Sequence, residues 1–316
     1  MTEHRRLGAT DLRIAPLVLG GNVFGWTADQ TTSFAVLDAF VAGGGTMIDT
    51  ADAYSAWVPG HSGGESESVI GAWLKHSGKR DQVQIASKVG MLPGDGGEKL
   101  APARIAAACD ASLRRLGVET IDLYFAHQDD ESVPQEEVLA AFGKLVDAGK
   151  IRALGASNFH AKRLKSANDV AREMDLPRYH VLQPEYNLVS RHKFEGELQS
   201  FCVENNIGVV PYYGLASGFL TGKYRNADDF SKSVRGGRMQ ETLDGNGPAV
   251  LAAMDSIAEE TGASLAQIAL AWLKEQPAVT APIASATSVE QVEDLLGAMS
   301  LTLTTEQLDR LTVAGA

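Results

Sequence analysis

The chain has 316 residues, 44% of them hydrophobic, enough to bury one large core. Its 28 basic and 40 acidic side chains give a formal charge of −12, which removes the positive field that a nucleic acid or an anionic membrane would need. No apolar run approaches the roughly 18 residues of a membrane span, and none of signal-peptide length follows the basic start "MTEHRRLGATDLRIAP", so a cytoplasmic protein with a small-molecule partner is expected.

In chain order, "HRRLGATDLRIAP" reads as two short strands around Gly8 to Asp11, a hairpin that would close the bottom of a barrel. Eight apolar runs follow: "APLVLG" (15–20), "TMIDT" (46–50), "QVQIASKV" (82–89), "IDLYFAH" (121–127), "RALGAS" (152–157), "HVLQPEY" (180–186), "IGVVPYY" (207–213) and "VTAPIAS" (279–285). Between them lie amphipathic stretches such as "TSFAVLDAFVAGG", "ESESVIGAWLKHS", "APARIAAACDASLRRLG", "PQEEVLAAFGKLVDAGK", "AKRLKSANDVAREM" and "KFEGELQSFCVENN". Pro102 and Pro134 mark first turns, and Gly117 and Gly149 follow helix ends. Cys109 and Cys202 fall on two of these helices and are expected as buried thiols rather than a disulfide.

Parallel strands need crossovers, and helical crossovers bury both faces of the sheet. The pattern therefore predicts an α/β fold, a (β/α)₈ TIM barrel in one domain over residues 1–316, with a long loop after the seventh strand. An open doubly wound sheet is the rival, but its G-x-G-x-x-G turn is missing after the first strand.

Barrels of this kind collect reacting groups at the C-terminal ends of their strands. Asp49, Lys88 and His127 sit at the ends of the second, third and fourth runs; Ser157 and Asn158 end the fifth, and Gln183 and Tyr212 lie near the ends of the sixth and seventh. A tyrosine such as Tyr54 is a poor proton carrier near neutral pH unless an ammonium favours its phenolate, which Lys88 would do. Asp49 would in turn keep a buried Lys88 charged, and His127 would orient a carbonyl oxygen beside the phenol. Taken singly these residues have plain uses, an aspartate as a helix cap or a histidine as a satisfied core side chain. Together, on successive strand ends, they point to catalysis. Asp52 reads as a loop carboxylate, "HQDDES" (127–132) as a solvated acidic loop, and His61, His76, His160, His180 and His192 as surface or capping residues without metal-ligand spacing.

The motifs "MIDTADAY", "ASKV", "DLYFAH", "GASNF", "LQPEYN", "PYYGLASGFLTGKY" and "APIASATSVEQVEDLLGA", in this order, resemble the aldo-keto reductase superfamily over nearly the whole chain. The resemblance implies a barrel that moves hydride between a nicotinamide cofactor and a carbonyl or alcohol, with Asp49, Tyr54, Lys88 and His127 as the catalytic tetrad. It implies that Ser157, Asn158 and Gln183 hold the nicotinamide carboxamide and that Tyr212 stacks on the ring. Gly214, Leu215, Ser217, Leu220, Lys223, Arg235 and Arg238, in the loop after the seventh strand, would line the pyrophosphate. Ser285, Thr287, Gln291 and Asp294 would approach the adenosine end, with Leu295 where the family usually has an asparagine. No basic side chain stands there to meet a 2′-phosphate, so the implied cofactor is NADP (NADPH) by family habit, with NAD (NADH) or dual use open. The substrate would be an aldehyde, ketone or sugar-like carbonyl held by Asn22, Phe24, Trp26, Trp57 and Gln128, with Asp129 nearby for hydroxyls. Trp26 and Trp57 have a second reading as mere packing partners. Two alternatives stay open: a Schiff-base lyase or aldolase using Lys88, and a non-catalytic cofactor-sensing subunit of the kind that β-subunits of potassium channels resemble.

Overall fold

The computed structural model describes residues 4–232 and 236–316. The apolar runs become strands and the amphipathic stretches become helices, in alternation. After the hairpin strands β1 (Arg5–Arg6) and β2 (Arg13–Ile14) come β3 (Val18–Gly20), α1 (Gln30–Ala42), β4 (Met47–Asp49), α2 (Glu65–Ser77), β5 (Gln84–Val89) and α3 (Pro102–Leu116). The middle of the chain supplies β6 (Ile121–Ala126), α4 (Gln135–Asp147), β7 (Ile151–Ser157), α5 (Ala161–Glu173), β8 (Val181–Gln183), α6 (Glu197–Glu204) and β9 (Gly208–Val209). The rest holds α7 (Gln240–Asp244), α8 (Gly247–Thr261), α9 (Leu265–Lys274), β10 (Ile283–Ala284), α10 (Val289–Ser300) and α11 (Thr305–Ala314).

Strands β3 to β9 pair in parallel in chain order, and β10 pairs with β3. The seam between β9 and β10 is joined by the Val209–Val279 bridge and by the Ile283 N–H donating to the Pro211 carbonyl at 2.9 Å. The sheet thus closes on itself as a (β/α)₈ barrel. Val18, Met47, Ala86, Leu123, Phe125 and Val181 fill its interior, and a much larger apolar layer lies between strands and helices. Leu7, Leu12 and Ile14 of the hairpin join the interior set and plug the bottom, as expected. Gly8 makes that plug possible: at φ +57 it lies so close that a Cβ would stand 2.4 Å from the Gly208 nitrogen.

Several strands are shorter than their apolar runs. Pro184 follows β8, Pro211 follows β9 and Pro282 precedes β10, and a residue without an N–H cannot continue the ladder. Helix punctuation follows the sequence at α3, which opens with Pro102 and stops at left-handed Gly117. The stretch after β9 is less of a loop than expected: among its described residues are 3₁₀ segments at Ala216–Thr221, Ala227–Lys232 and Gly236–Arg238, followed by α7. Helices α9 and α11 are each started by a capping box, Ser264 with Gln267 and Thr304 with Gln307. Cys109 and Cys202 are buried and unbridged.

Candidate active site

Three successive strand ends build the centre of the site. Asp49 closes β4, Lys88 is the penultimate residue of β5, and His127 follows β6, while Tyr54 hangs from the loop after β4. Lys88 has no exposed surface, and its three ammonium protons each find an acceptor: Asp49 Oδ2 at 2.7 Å, the Thr50 carbonyl at 2.7 Å and Tyr54 Oη at 2.8 Å. The ammonium also lies 4.5 Å from the centre of the Tyr54 ring. The Tyr54 hydroxyl donates to Asp49 Oδ2 at 3.0 Å, and Gln183 Nε2 donates to Asp49 Oδ1 at 2.8 Å. Both carboxylate oxygens are therefore engaged, which fixes the orientation of Asp49.

The electrostatics differ from the sequence expectation at one point. Burial, together with Asp49 as neighbour and acceptor of its proton, pushes the Tyr54 phenol well above its ordinary value of 10.0. Lys88's hydrogen bond acts in the opposite sense but does not prevail in this arrangement, so the phenol stays protonated at neutral pH. Burial pulls the Lys88 ammonium below 10.5 while Asp49 pushes it back up. Burial and the Lys88 charge hold His127 well below 6.5, so its imidazole is neutral. Its Nδ1 is buried without a hydrogen-bond partner among the described residues. The His127 ring meets Tyr54 edge-on, with centroids 6.1 Å apart.

Beside this centre lies a set of amide and hydroxyl groups. Asn158, at φ +59, donates through Nδ2 to the His127 carbonyl at 2.9 Å and accepts from Tyr212 Oη at 2.8 Å through Oδ1. Ser157 Oγ donates to the Gln183 carbonyl at 2.8 Å. Further along, Ala216, Ser217 and Gly218 run consecutively in the left-handed region, and a Cβ on Gly218 would stand 2.8 Å from Lys223 Nζ. Gly214 is buried against Leu270 and Leu273, and Leu215 is half-buried. Leu220 is fully enclosed in the core, which leaves only its backbone for a ligand. Arg235 and the side chain of Arg238 lie outside the described residues. Ser285 Oγ donates to Asn22 Oδ1, Gln291 Oε1 accepts from Thr287 N–H at 2.9 Å, and Asp294 Oδ1 accepts from Gln267 Nε2 at 3.0 Å.

The expected substrate contacts divide. Trp57 is 51% exposed, and its ring stands edge-on to Trp26 at 5.6 Å and to Tyr54 at 6.2 Å, so the two tryptophans touch each other and Trp57 also reaches the Tyr54 phenol. Gln128 is half-buried, its Nε2 donating to the Gly90 carbonyl at 3.2 Å. Asp129 is taken up by Arg163 at 2.5 Å. Phe24, expected at the mouth, is instead sealed in the layer beneath the helices, because its apolar ring is better served there. Asp52 lies in the loop after β4, as expected, but it is not idle there. It is 2% exposed and paired with Arg104 at 3.2 Å, a contact across 52 residues that no local pattern announces.

Fold and site together define a (β/α)₈ barrel protein with a cluster of Asp, Tyr, Lys and His at and just beyond the ends of β4, β5 and β6. The sequence model of the Aldo/keto reductase family matches residues 16–315, and the chain belongs to that family. It is 32% identical to the uncharacterized oxidoreductase YrpG of Bacillus subtilis (strain 168), over 98% of this chain and 94% of that one. It is 30% identical to L-glyceraldehyde 3-phosphate reductase of Escherichia coli (strain K12), over 98% and 91%. A protein of Oryza sativa subsp. japonica named as a probable voltage-gated potassium channel subunit beta is also 30% identical, over 98% and 95%. Among the described residues no helix is long and apolar enough to cross a membrane.

Proposed function

We propose that this chain is a cytoplasmic NAD(P)H-dependent oxidoreductase that reduces a carbonyl to an alcohol, and runs the reverse reaction, with Tyr54 as general acid and base. The observation that carries the reading is the Lys88 ammonium, which donates to Asp49 and to Tyr54 Oη at once in a site shielded from water. A bound reduced nicotinamide would supply the hydride. Ser157, Asn158 and Gln183 offer amide and hydroxyl partners for a carboxamide, beside the ring of Tyr212. The left-handed run at Ala216 to Gly218 with Lys223 against it suits a phosphate. As oxygen charge develops on the substrate, the proton held at Tyr54 Oη passes to it, and Lys88 stabilises the phenolate left behind. Neutral His127 contributes a hydrogen bond that orients the oxygen. Trp26 and Trp57 give the opening an apolar wall suited to an aldehyde, ketone or ring-bearing substrate.

A lysine whose three protons are all engaged has no lone pair for a Schiff base, which weighs against the lyase reading. The complete set of Asp49, Tyr54, Lys88 and His127 favours catalysis over a purely sensing subunit. For the cofactor, family habit favours NADPH, while the segment 285–300 holds no lysine or arginine, which keeps NADH in play. The test is oxidation of NADPH and of NADH, each with an aromatic aldehyde, by the wild type and by Tyr54→Phe. Cofactor binding, read by fluorescence, should persist in the variant while kcat falls by about 10² to 10⁴. Equal turnover in the variant would remove Tyr54 from the proton path.

A further inference from the structure

A second group of buried charges lies in the layer between β5 and helices α2 and α3. Alternation along β5 sends Lys88 into the barrel and its neighbour Ser87 toward the helices, where its hydroxyl donates to Glu67 Oε1. Glu67 has no exposed surface, and its Oε2 accepts from Arg115 Nε at 2.7 Å. Nearby, Asp52 Oδ2 accepts from Arg104, whereas Asp52 Oδ1 is buried without a partner. The Asp52 N–H donates to the Lys88 carbonyl at 3.2 Å, tying this loop to the strand that carries the lysine. Counted with the mouth, three cations (Lys88, Arg104, Arg115) face three carboxylates (Asp49, Asp52, Glu67).

We propose that Asp52 and Glu67 are positioning residues that act through Lys88 on the proton transfer at Tyr54; the role in turnover rests on the oxidoreductase reading above. Asp49 alone is a shared counterion, since it also holds Tyr54 and Gln183. A lysine cut off from water loses its proton readily, and a neutral amine would no longer stabilise a phenolate. The two rear carboxylates add negative potential that keeps the ammonium charged. Burial pulls Lys88 down, and after Asp49 the groups that push it up are Glu67 and then Asp52. Asp52 itself is raised to about 7 by burial and by Glu67, so it is ionised in the alkaline range where a lysine titrates.

The other groups around these three are accounted for. Tyr54 and His127 face Lys88 from the barrel, the one neutral by burial and by Asp49, the other by burial and by Lys88. Arg104 and Arg115 face the carboxylates from α3. Cys109 and Tyr124 share the layer and stay neutral, the thiol pushed up to about 12 and the phenol well above 10.0, both chiefly by burial.

A merely structural ion pair would change stability without touching Lys88, so the decisive readout is Lys88 itself. Protein carrying ¹³C-lysine, without cofactor, is titrated by NMR, with the Lys88 signal assigned by its loss in Lys88→Met. The Lys88 midpoint should fall by about one pH unit in Asp52→Asn and by more in Glu67→Gln, while a surface variant, Asp169→Asn, leaves it in place. The alkaline limb of kcat for carbonyl reduction should move down in parallel, with the KM for cofactor kept. Unmoved midpoints in both carboxylate variants overturn the proposal. If Glu67→Gln fails to fold, Asp52→Asn decides, because an amide resembles a carboxyl that is already half-protonated near neutral pH. A wild type inert toward carbonyls with both cofactors would overturn the oxidoreductase reading, and the NMR titration would still decide whether the rear carboxylates hold the charge on Lys88.

Discussion

Gln183 at the end of β8 and Asp49 at the end of β4 meet across the barrel mouth, amide to carboxylate at 2.8 Å, from positions 134 residues apart. With Lys88 and Tyr54 on the other oxygen, the carboxylate has no freedom to turn. In Gln183→Leu the buried Oδ1 loses that donor, and an unsatisfied buried acceptor costs about 1 to 3 kcal/mol. Urea denaturation should show that loss, and carbonyl reduction should fall with it as Asp49 reorients. A variant with unchanged stability would mean that another donor takes the amide's place.

Lys88→Met should be harsher. It leaves Asp49 as a buried carboxylate without its cation, a change that costs about 3 to 5 kcal/mol where both partners are enclosed. The melting temperature should drop by several degrees and reduction should be lost. Asp49→Asn in the same background should restore part of the stability and none of the activity, a split that a packing defect alone would not give.

Two buried groups give opposite pH dependence to folding. His127 is neutral in the fold, so below pH 6.5 only the unfolded chain takes up its proton, and unfolding free energy falls by about 1.4 kcal/mol per pH unit. Asp52 has a folded value of about 7 against 3.8 for the free side chain, so between these values only the fold holds the extra proton. Its contribution therefore grows as pH falls, with a slope of about the same size. Below pH 6.5 the two therefore oppose each other. His127→Gln should become more stable relative to wild type as pH drops from 7 to 5, whereas Asp52→Asn should become less stable relative to it. Urea midpoints at three pH values check both; parallel curves for wild type and His127→Gln would contradict a neutral imidazole.

Cofactor choice should respond to a single cation. Residues 285–300 contain no lysine or arginine, and Gln291 sits at the exposed start of α10. Gln291→Arg should raise the ratio of kcat/KM for NADPH over NADH by about tenfold, the worth of one charge-assisted contact with a phosphate. An unchanged ratio would place the 2′-position elsewhere.

The sequence carried the order of strands and helices, the hairpin and the placing of Asp49, Lys88 and His127 at strand ends, because these depend on local periodicity and on the rule that gathers polar residues there. What escaped it depends on contacts made between distant segments. Nothing near Asp52 announces Arg104, and nothing near Glu67, which reads as one more polar residue of an amphipathic helix, announces Arg115. Phe24 looks like a rim aromatic until the layer that encloses it is built. The direction of the Tyr54 shift was misread for the same reason: a neighbouring ammonium is visible in a motif, whereas the degree of burial is not. Prolines 184, 211 and 282 were visible, and they explain why three strands stop short of their apolar runs.

The stopper formed by Leu7, Leu12 and Ile14, seated through Gly8 against Gly208, divides the molecule's labour. The sealed floor carries packing and the open rim carries the polar cluster, so changes in the segments around Trp26 and Trp57 leave the foundation untouched.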